Sequence, residues 1–410
     1  MKRAILFTHR WIGILSAIIG MTNFPSLEAQ TRCDLDLVPR QWDGYLDWKE
    51  KIHPYHLETR DVLTVPVVVH IVYRRPDQNI SDAQIHSQID ALNRAFTNPG
   101  DFLPGLPREF ASLVAIPGIR FCLASQTPAG AISSGITRTS TNLENIGLLF
   151  GDNNRRRIHY TDLGGQDAWD PNRYFNIWVG ELGGLLGRAS MPGTLIHAEE
   201  DGIIISPEVF GTTGSVVYPF HQGKTAVHET GHYLGLAHLW GMEQGDCTED
   251  DGLADTPQQA GPYSGCPAYP QTSCGSNDLF MNYMDLTDDP CLIMFTRDQV
   301  DVMRNTLEQY RSGLINQAAG CNQPPRWKSA DQELHVIYRP EHHQLEIQFR
   351  HAGEAAFQVR IWDVTGRLVL HQMEYGSSVL PLSVPNWVLG IYFVEIITPG
   401  NQLTKKVLIY

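Results

Sequence analysis

The feature that most constrains this chain is the stretch from His228 to His238, which has the form H-E-x-x-H-x-x-G-x-x-H. Residues four apart share one face of an α-helix, so His228 and His232 can direct their imidazoles at one metal ion. Gly235 permits the turn that ends the helix, and His238 then follows as a third ligand. Three neutral imidazoles predict zinc with an open fourth position.

The glutamate inside this motif predicts the reaction. Glu229 follows the first ligand directly, where its carboxylate can reach a water on the metal without being a ligand itself. A carboxylate in that place is a general base, and later the acid that protonates the leaving amine. The pattern therefore predicts hydrolysis of peptide bonds without a covalent intermediate. The third histidine disfavours the alternative of a helix that carries histidines by chance.

The motif resembles that of the metzincin endopeptidases, whose second hallmark is a tight turn with a methionine beneath the metal. Met284, within Asn282-Tyr283-Met284-Asp285, fits that place. Within the metzincins the chain resembles the pappalysin family, over about residues 60 to 320. The stretches that carry the resemblance are 174–179, 201–205, 223–241, 247–257 and 282–299. The resemblance implies an α+β catalytic domain with a mixed twisted sheet and a zinc-binding active-site helix.

One position departs from the family pattern. Leu286 stands where the family usually has a tyrosine that is thought to stabilise the tetrahedral intermediate. This leaves a competing hypothesis, a non-catalytic zinc-binding adhesion or interaction protein on the same fold. The intact Glu229 argues against it, because a fold that only binds zinc does not need that carboxylate. Hydrolysis of something other than peptides has no feature in its favour.

The organisation of the chain indicates an exported protein. Residues 1–29 have a basic head, an apolar run and a small-residue cleavage region, typical of a signal peptide, the alternative being a cytosolic amphipathic start. No other stretch is apolar enough to span a bilayer. Residues 30–60 lack a clear period and are interpreted as a propeptide, removed after Arg60. The catalytic domain is expected over 61–323. A net charge of −14 argues against nucleic acid as a partner, and a monomer is expected.

The C-terminal part has a different pattern. Pro324-Pro325 marks a linker over 324–331. Short alternating strands follow over 332–410 and predict a small all-β sandwich. The strands are expected at 345–349, 357–363, 367–371, 391–396 and 405–409. This part resembles the type IX secretion sorting domain, which implies the type IX machinery as a partner and a location outside the cell or on its surface. The alternative is a substrate-binding β module.

Seven cysteines in an exported chain favour disulfides over a cysteine catalyst. Four of them cluster after the zinc helix, and sequence alone allows three connectivities for four cysteines. The family resemblance implies the pairs Cys247-Cys274 and Cys266-Cys291. Cys33 could be a latency switch that places its thiolate on the zinc. Alternatively it forms a disulfide with Cys122 or Cys321.

Two acidic stretches offer further sites. The loop over 249–256 has the hard oxygen ligands that calcium uses, and the resemblance leads to Asp251, Asp255 and Thr256 as calcium ligands. The alternative is a solvated acidic loop. Asp288 and Asp289 follow the methionine turn, where the family forms its specificity pocket. A carboxylate of Asp289 there would favour Arg or Lys just after the cut bond, the alternative being aspartates that face solvent or cap the next helix.

Secondary structure is expected as follows. The β-branched run 62–73 predicts a central strand buried on both faces. Further strands are expected at 119–124 and 175–180. The family resemblance implies that 185–189 is the edge strand on the rim of the cleft, to which an extended substrate would add. A capping box at Ser81 predicts a helix, and Thr296 should cap another. The zinc helix is expected over 224–239.

Overall fold

The computed structural model describes the parts of the chain needed to place the site. These are residues 32–33, 39–52, 62–97, 106–151, 155–241, 247–316, 321, 334–348, 356–363, 368–375, 379–384, 387, 390–398 and 401–409. The predicted signal peptide, the removal site after Arg60 and the linker lie outside the described residues. In the described part, no helix is long and apolar enough to cross a membrane.

The α-helices of the described residues all lie before residue 317, and strands dominate the described residues after it. The helices are α1 Pro39–Lys51, α2 Asp82–Thr97, α3 Lys224–Tyr233, α4 Arg297–Asn305 and α5 Ser312–Asn316. The strands of the first part are β1 Leu63–Tyr73, β2 Val114–Ala115, β3 Ile119–Leu123, β4 Ile136–Ser140, β5 Leu149–Phe150, β6 Arg155–Arg156, β7 Phe175–Val179, β8 Gly187–Ala189, β9 Gly202–Ile205 and β10 Phe295–Thr296. Those of the second part are β11 His335–Arg339, β12 Gln344–Gln348, β13 Ala356–Asp363, β14 Leu368–Tyr375, β15 Val379–Ser383, β16 Gly390–Thr398 and β17 Asn401–Ile409.

A six-stranded mixed sheet organises the first part. Its order is β3-β1-β7-β9-β8, with β4 also paired to β1. All pairs are parallel except that of β8 with β9, which is antiparallel and places β8 at one edge. The prediction of a central strand is confirmed, because β1 is buried along almost its whole length. Such continuous burial requires cover on both faces of the sheet.

Each face of the sheet has its own core. On one face, side chains of β1, β7 and β9 pack against α2, α3 and the segment around the methionine turn. On the other face, Val72, Trp178 and Ile204 pack against Ile146 and Ile158. The buried stripe of α2, including Ile85 and Phe96, faces the first core. The zinc motif therefore belongs to a helix held against the sheet.

The zinc helix is shorter than predicted, and helix α1 was not predicted. The predicted zinc helix over 224–239 ends at Tyr233 instead. Gly235 has a φ of 95°, a left-handed conformation that favours glycine and stops the helix there. No helix was expected over 30–60, yet α1 forms within that range. From residue 43 onwards, where the side chains of α1 are described, Tyr45 and Trp48 are the buried hydrophobic residues, and the sequence of this stretch shows no clear period.

The predicted capping of α4 by Thr296 is confirmed. Thr296 and Gln299 form a capping box, and Asn282 donates a hydrogen bond to the Gln299 side chain over 2.8 Å. Val300, Met303 and Leu307 are fully buried beneath the zinc helix and the sheet. The cap thus ties the start of α4 to the methionine turn.

The second part is the predicted β-sandwich. One sheet has the order β11-β12-β15 and the other β14-β13-β16-β17. Both contribute to one core that includes Leu345, Val359, Leu382 and Val394. The strands β11 and β15 were not predicted, and β14 extends to Tyr375, beyond the expected end at 371. Their alternation is weaker than that of β13 and β16, so the pattern alone did not mark them.

Three disulfides connect six of the seven cysteines. Cys247 is bonded to Cys274 and Cys266 to Cys291, which are the pairs that the family resemblance implied. Cys122 is bonded to Cys321, which closes a separation of 199 residues. The alternative that Cys33 pairs with either of those two is therefore wrong, and Cys33 is a buried cysteine outside the three disulfides.

Candidate active site

Helix α3 and the turn after it bring three imidazoles together. His228 and His232 lie on one face of α3, and their Nε2 atoms are 3.0 Å apart. The turn at Gly235 reverses the chain and places the Nε2 of His238 3.2 Å from that of His232. All three side chains are buried. The spacing of the motif and the left-handed glycine together produce this convergence.

The protonation of these histidines fits a bound cation. Burial lowers the pKa of His232 to about 4, and it lowers the pKa values of His228 and His238 well below their usual range. The Nδ1 atoms of His228 and His232 lie 2.8 Å from the carbonyl oxygens of Tyr283 and Leu236. Each neutral ring then donates from Nδ1 and presents a lone pair at Nε2. Two lone pairs 3.0 Å apart repel each other unless a cation lies among them, so this donor set suits zinc.

Two contacts fix the surroundings of the imidazoles. Trp240 stacks on His238 with ring centroids 4.4 Å apart, so Trp240 packs against one of the three imidazoles. Met284 lies beneath α3, where a Cβ on Gly231 would be 2.5 Å from its Sδ atom. The backbone N–H of Met284 donates to Asn282 over 2.9 Å. The methionine turn therefore lies directly against the zinc helix, and glycine at 231 allows that approach.

Glu229 is fully buried beside the imidazoles. Its carboxylate faces Gly187 of the edge strand β8, where a Cβ would be 2.6 Å from Oε1. Its other oxygen, Oε2, is 3.8 Å from the Sγ atom of Cys33. The carboxylate thus lies between the edge strand and the position where a fourth ligand of the metal would be.

Cys33 lies together with the three imidazoles. Its Sγ and one nitrogen of each of the three histidines all lie within 4.8 Å of one another, and no other such group occurs among the described residues. Cys33 forms a parallel β-bridge with Gly187, whose N–H donates to the carbonyl of Arg32 over 3.2 Å. A segment N-terminal to the catalytic part thus lies along β8 and across the site.

The residue before Cys33 forms a buried ion pair with Asp289. A guanidinium nitrogen of Arg32 is 2.7 Å from Asp289 Oδ1, and both side chains are buried. Arg32 also donates to the carbonyl of Thr287. The other oxygen of Asp289 accepts from the backbone of Gln222 over 2.8 Å. The alternative of an Asp289 that faces solvent is therefore wrong, whereas Asp288 is partly exposed.

The ion pair between Arg32 and Asp289 was not predicted from the sequence. The signal was present, because an arginine directly precedes the candidate latency cysteine and an aspartate follows the methionine turn. Opposite charges at these two places are complementary, but 257 positions separate them. Only the fold brings them together.

Helix α1 covers the turn of the zinc motif. The hydroxyl of Tyr45 donates to the carbonyl of Gly235 over 3.1 Å, and Trp48 packs over the same glycine. Lys49 donates to the carbonyl of Asp251 over 2.7 Å. The N-terminal segment, defined here as residues 32–33 and 39–52, therefore contacts the catalytic part both inside the cleft and beside it.

The candidate calcium ligands separate into two groups. Asp251 and Thr256 contact each other over 2.6 Å, and burial raises the pKa of Asp251 to about 7. The Oδ2 atom of Asp251 is buried and has no hydrogen-bond partner among the described residues. Asp255 instead accepts from the Thr296 hydroxyl and the Asp298 N–H at the start of α4. Calcium at these residues stays a prediction.

Leu286 lies in the loop after the methionine turn. It is partly buried and packs against an apolar cluster that contains Leu239, Trp240 and Phe280. The preceding Asp285 is fully buried and accepts hydrogen bonds from Gln259 and from the backbone. Leu286 thus has a packing role in the loop after the methionine turn.

Comparisons with known proteins agree with this geometry. The sequence profile of the family described as pregnancy-associated plasma protein-A matches residues 160–308, and that of a secretion system C-terminal sorting domain matches residues 338–410. An extracellular metalloprotease of Arthroderma otae is 31% identical over 257 residues, which are 61% of this chain and 80% of the relative. One of Pyricularia oryzae is 32% identical over 268 residues, 62% of this chain and 78% of the relative.

The fold of the chain is also similar to that of solved structures. A promirolysin mutant from Tannerella forsythia matches with a TM-score of 0.64 and 39% identity, over 68% of this chain and 93% of that one. Mature mirolysin from the same organism, in complex with a cleaved peptide, matches with a TM-score of 0.60 and 41% identity, over 63% of this chain and 98% of that one.

Proposed function

This chain belongs to the pappalysin family of metallopeptidases, and on that premise we propose that Glu229 is the general base of a secreted zinc endopeptidase whose N-terminal segment holds it inactive. The chain is a metalloendopeptidase, and its sorting domain indicates that it acts outside the cell or at its surface. The observation that carries the proposal is the burial of Glu229 beside three convergent imidazoles.

Different residues of the chain bind the metal and transfer the proton during hydrolysis. His228, His232 and His238 would hold the zinc, which when bound polarises a carbonyl and lowers the pKa of water. Glu229 accepts a proton from the attacking water and passes it to the leaving amine. Met284 supports α3 from below and takes no proton.

The contact of Cys33 supports a latency switch. A thiolate is a strong zinc ligand, and Cys33, which is in none of the three disulfides, lies with the three histidines. In that place it excludes water from the side on which Glu229 works. We interpret residues 30–60 as a propeptide, whose removal would open the cleft.

The contact of Arg32 supports a preference for basic residues. Arg32 inserts a guanidinium against Asp289 while its own backbone pairs with Gly187 of β8. A substrate that adds to the same edge strand can place an Arg or Lys side chain in the same pocket, just after the cut bond. The buried carboxylate would reject an acidic side chain there, because two unpaired like charges would be buried together.

The test is the Glu229→Ala variant, freed of the N-terminal segment. Zinc content should stay at that of the wild-type chain, while cleavage of a protein substrate falls by about 10³-fold or more, since a positioned base contributes roughly 10² to 10⁴. His238→Ala is the matched control and should lose zinc together with cleavage. A Glu229→Ala chain that still cuts protein would contradict the assigned base. A wild-type chain that keeps zinc and cuts nothing would favour the non-catalytic hypothesis.

A further inference from the structure

Three consecutive apolar side chains are exposed where β5 begins. Leu148 is 36% exposed, Leu149 52% and Phe150 48%. The last two form β5 and pair with β6, so the three residues belong to a hairpin. Single exposed apolar residues are ordinary on a protein surface, whereas a contiguous run of them marks a candidate binding surface. Residues Leu148, Leu149 and Phe150 are called the apolar hairpin below.

The chain just before the apolar hairpin is tied to the segment that leads into the edge strand β8. The N–H of Gly147 donates to the carbonyl of Glu181 over 2.9 Å. The carboxylate of Glu181 accepts from the N–H of Asn145 over 3.1 Å and from the side chains of Arg74 and Gln78. Glu181 lies between β7 and β8. These contacts therefore fix the apolar hairpin beside the start of the edge strand.

The apolar hairpin also touches the turn that precedes β8. In this turn the N–H of Leu185 donates to the carbonyl of Leu182 over 3.2 Å. Gly183 has a φ of 63°, and a Cβ there would be 2.7 Å from the Cδ1 atom of Leu148. The strand itself begins only at Gly187. A chain that adds to β8 therefore loses its backbone partners near the turn and meets the side chains of the apolar hairpin instead.

The N-terminal segment shows on which side of the metal site a substrate would meet this hairpin. Cys33 forms its parallel bridge with Gly187, and the preceding Arg32 binds Asp289. The pocket of Asp289 therefore lies towards the lower-numbered end of β8, which is the end beside the apolar hairpin. Gly183 is four positions before Gly187. At about 3.3 Å per residue, an extended substrate reaches it about three to four residues after the cut bond.

We propose that the apolar hairpin is an outer subsite of the cleft, which binds an apolar substrate side chain at the third or fourth residue after the cut bond. The inference rests on the proposed function, since it takes the cleft as the place of peptide cleavage. Contact of a leucine with Leu149 and Phe150 removes apolar surface of both partners from water. The guanidinium of Arg157 lies over the ring of Phe150, which holds that ring in place.

The experiment compares two peptides that both have an arginine directly after the cut bond. The third and fourth residues after the bond are leucine in one peptide and serine in the other. The zinc-loaded chain freed of its N-terminal segment should cleave the leucine peptide with a kcat/KM higher by about fivefold or more. Leu149→Ser and Phe150→Ser should each reduce this ratio, and the double variant should bring it close to one. Both residues are about half exposed, so the substitutions leave the core intact.

Ile132→Ser is the matched control. Ile132 is 96% exposed and bridges to Gln126, whose carbonyl accepts from the Tyr174 hydroxyl just before β7. It therefore lies near the opposite end of β7 from Glu181, and its substitution should leave the ratio at the wild-type value. All three single variants should cleave the serine peptide as well as the wild type does, because the serine peptide does not use the apolar hairpin.

The outcomes separate this inference from the proposed function. A wild-type chain that cuts both peptides equally well would overturn the outer subsite and leave the proposed function standing. A preference for leucine that persists in the double variant would overturn it as well. A chain that cuts neither peptide would contradict the proposed function, and the inference with it. Dimerisation that Leu149→Ser abolishes, measured by sedimentation and combined with equal cleavage of both peptides, would assign the surface to a second copy of the chain.

Discussion

Burial keeps the three zinc-site histidines uncharged, and their backbone contacts decide which nitrogen faces the metal. Sequence alone predicted these ligands, because helical spacing and a left-handed glycine are local properties of the motif. It did not predict the pairing of Arg32 with Asp289, which depends on contacts between residues 257 positions apart. The three histidines could therefore be predicted from the local sequence, whereas the ion pair of Arg32 with Asp289 could not.

The latency assignment predicts the behaviour of Cys33→Ser. A serine hydroxyl is a much weaker zinc ligand than a thiolate, so the chain that retains its N-terminal segment should gain activity. We expect a rise of about tenfold or more in cleavage of a protein substrate, limited because Arg32 still occupies its pocket. The control is Cys33→Ser freed of the segment, which should match the processed wild type. An unprocessed variant as inactive as the wild type would contradict the switch.

The specificity assignment predicts the behaviour of Asp289→Asn. The change keeps the shape of the side chain and removes the charge that Arg32 pairs with. The kcat/KM for peptides with Arg or Lys after the cut bond should fall by about 10- to 100-fold relative to peptides with an uncharged residue. Asp288→Asn is the matched control at a partly exposed neighbour and should leave the preference intact. Equal preference in Asp289→Asn and wild type would exclude Asp289 as its cause.

At the scale of secondary structure elements, the strongly patterned segments were predicted and the sparse ones were not. The β-branched run of β1 and the capping box of α4 contain enough local signal to define an element. The sequence of helix α1 shows no clear period, and the helix is held by contacts with Gly235 and Asp251. Tertiary packing, and not periodicity, therefore explains why α1 forms.

The packing of the methionine turn against α3 predicts that Gly231→Ala destabilises the chain. Alanine is the better helix former by about 1 kcal/mol, so helix propensity alone would predict stabilisation. The added Cβ, however, would lie 2.5 Å from Met284 Sδ, and overpacking typically costs about 1 to 3 kcal/mol. Urea unfolding measures the sign. In a Met284→Ala background the same change should become neutral or stabilising, and stabilisation in the wild-type background would contradict the packing account.

At the scale of the whole molecule, the chain combines an N-terminal segment, a catalytic part and a β-sandwich. Sequence predicted the fold class of both folded parts, since their periodicities differ clearly. It left open how Cys33, Cys122 and Cys321 pair, because connectivity cannot be deduced from cysteine positions. The disulfide of Cys122 with Cys321 ties β3 to the end of the catalytic part and leaves Cys33 for the site.

The most direct measurement of the central claim is metal-dependent cleavage by the chain freed of its N-terminal segment. Zinc content is determined while a denatured protein substrate is digested and its cut sites are read by mass spectrometry. We predict that a chelator abolishes cleavage, that about one equivalent of zinc per chain restores it, and that the cuts precede Arg or Lys. The account would be contradicted if the chain held zinc at this site, with its cleft free, and cut nothing. It would also be contradicted if the chain cut equally well without metal.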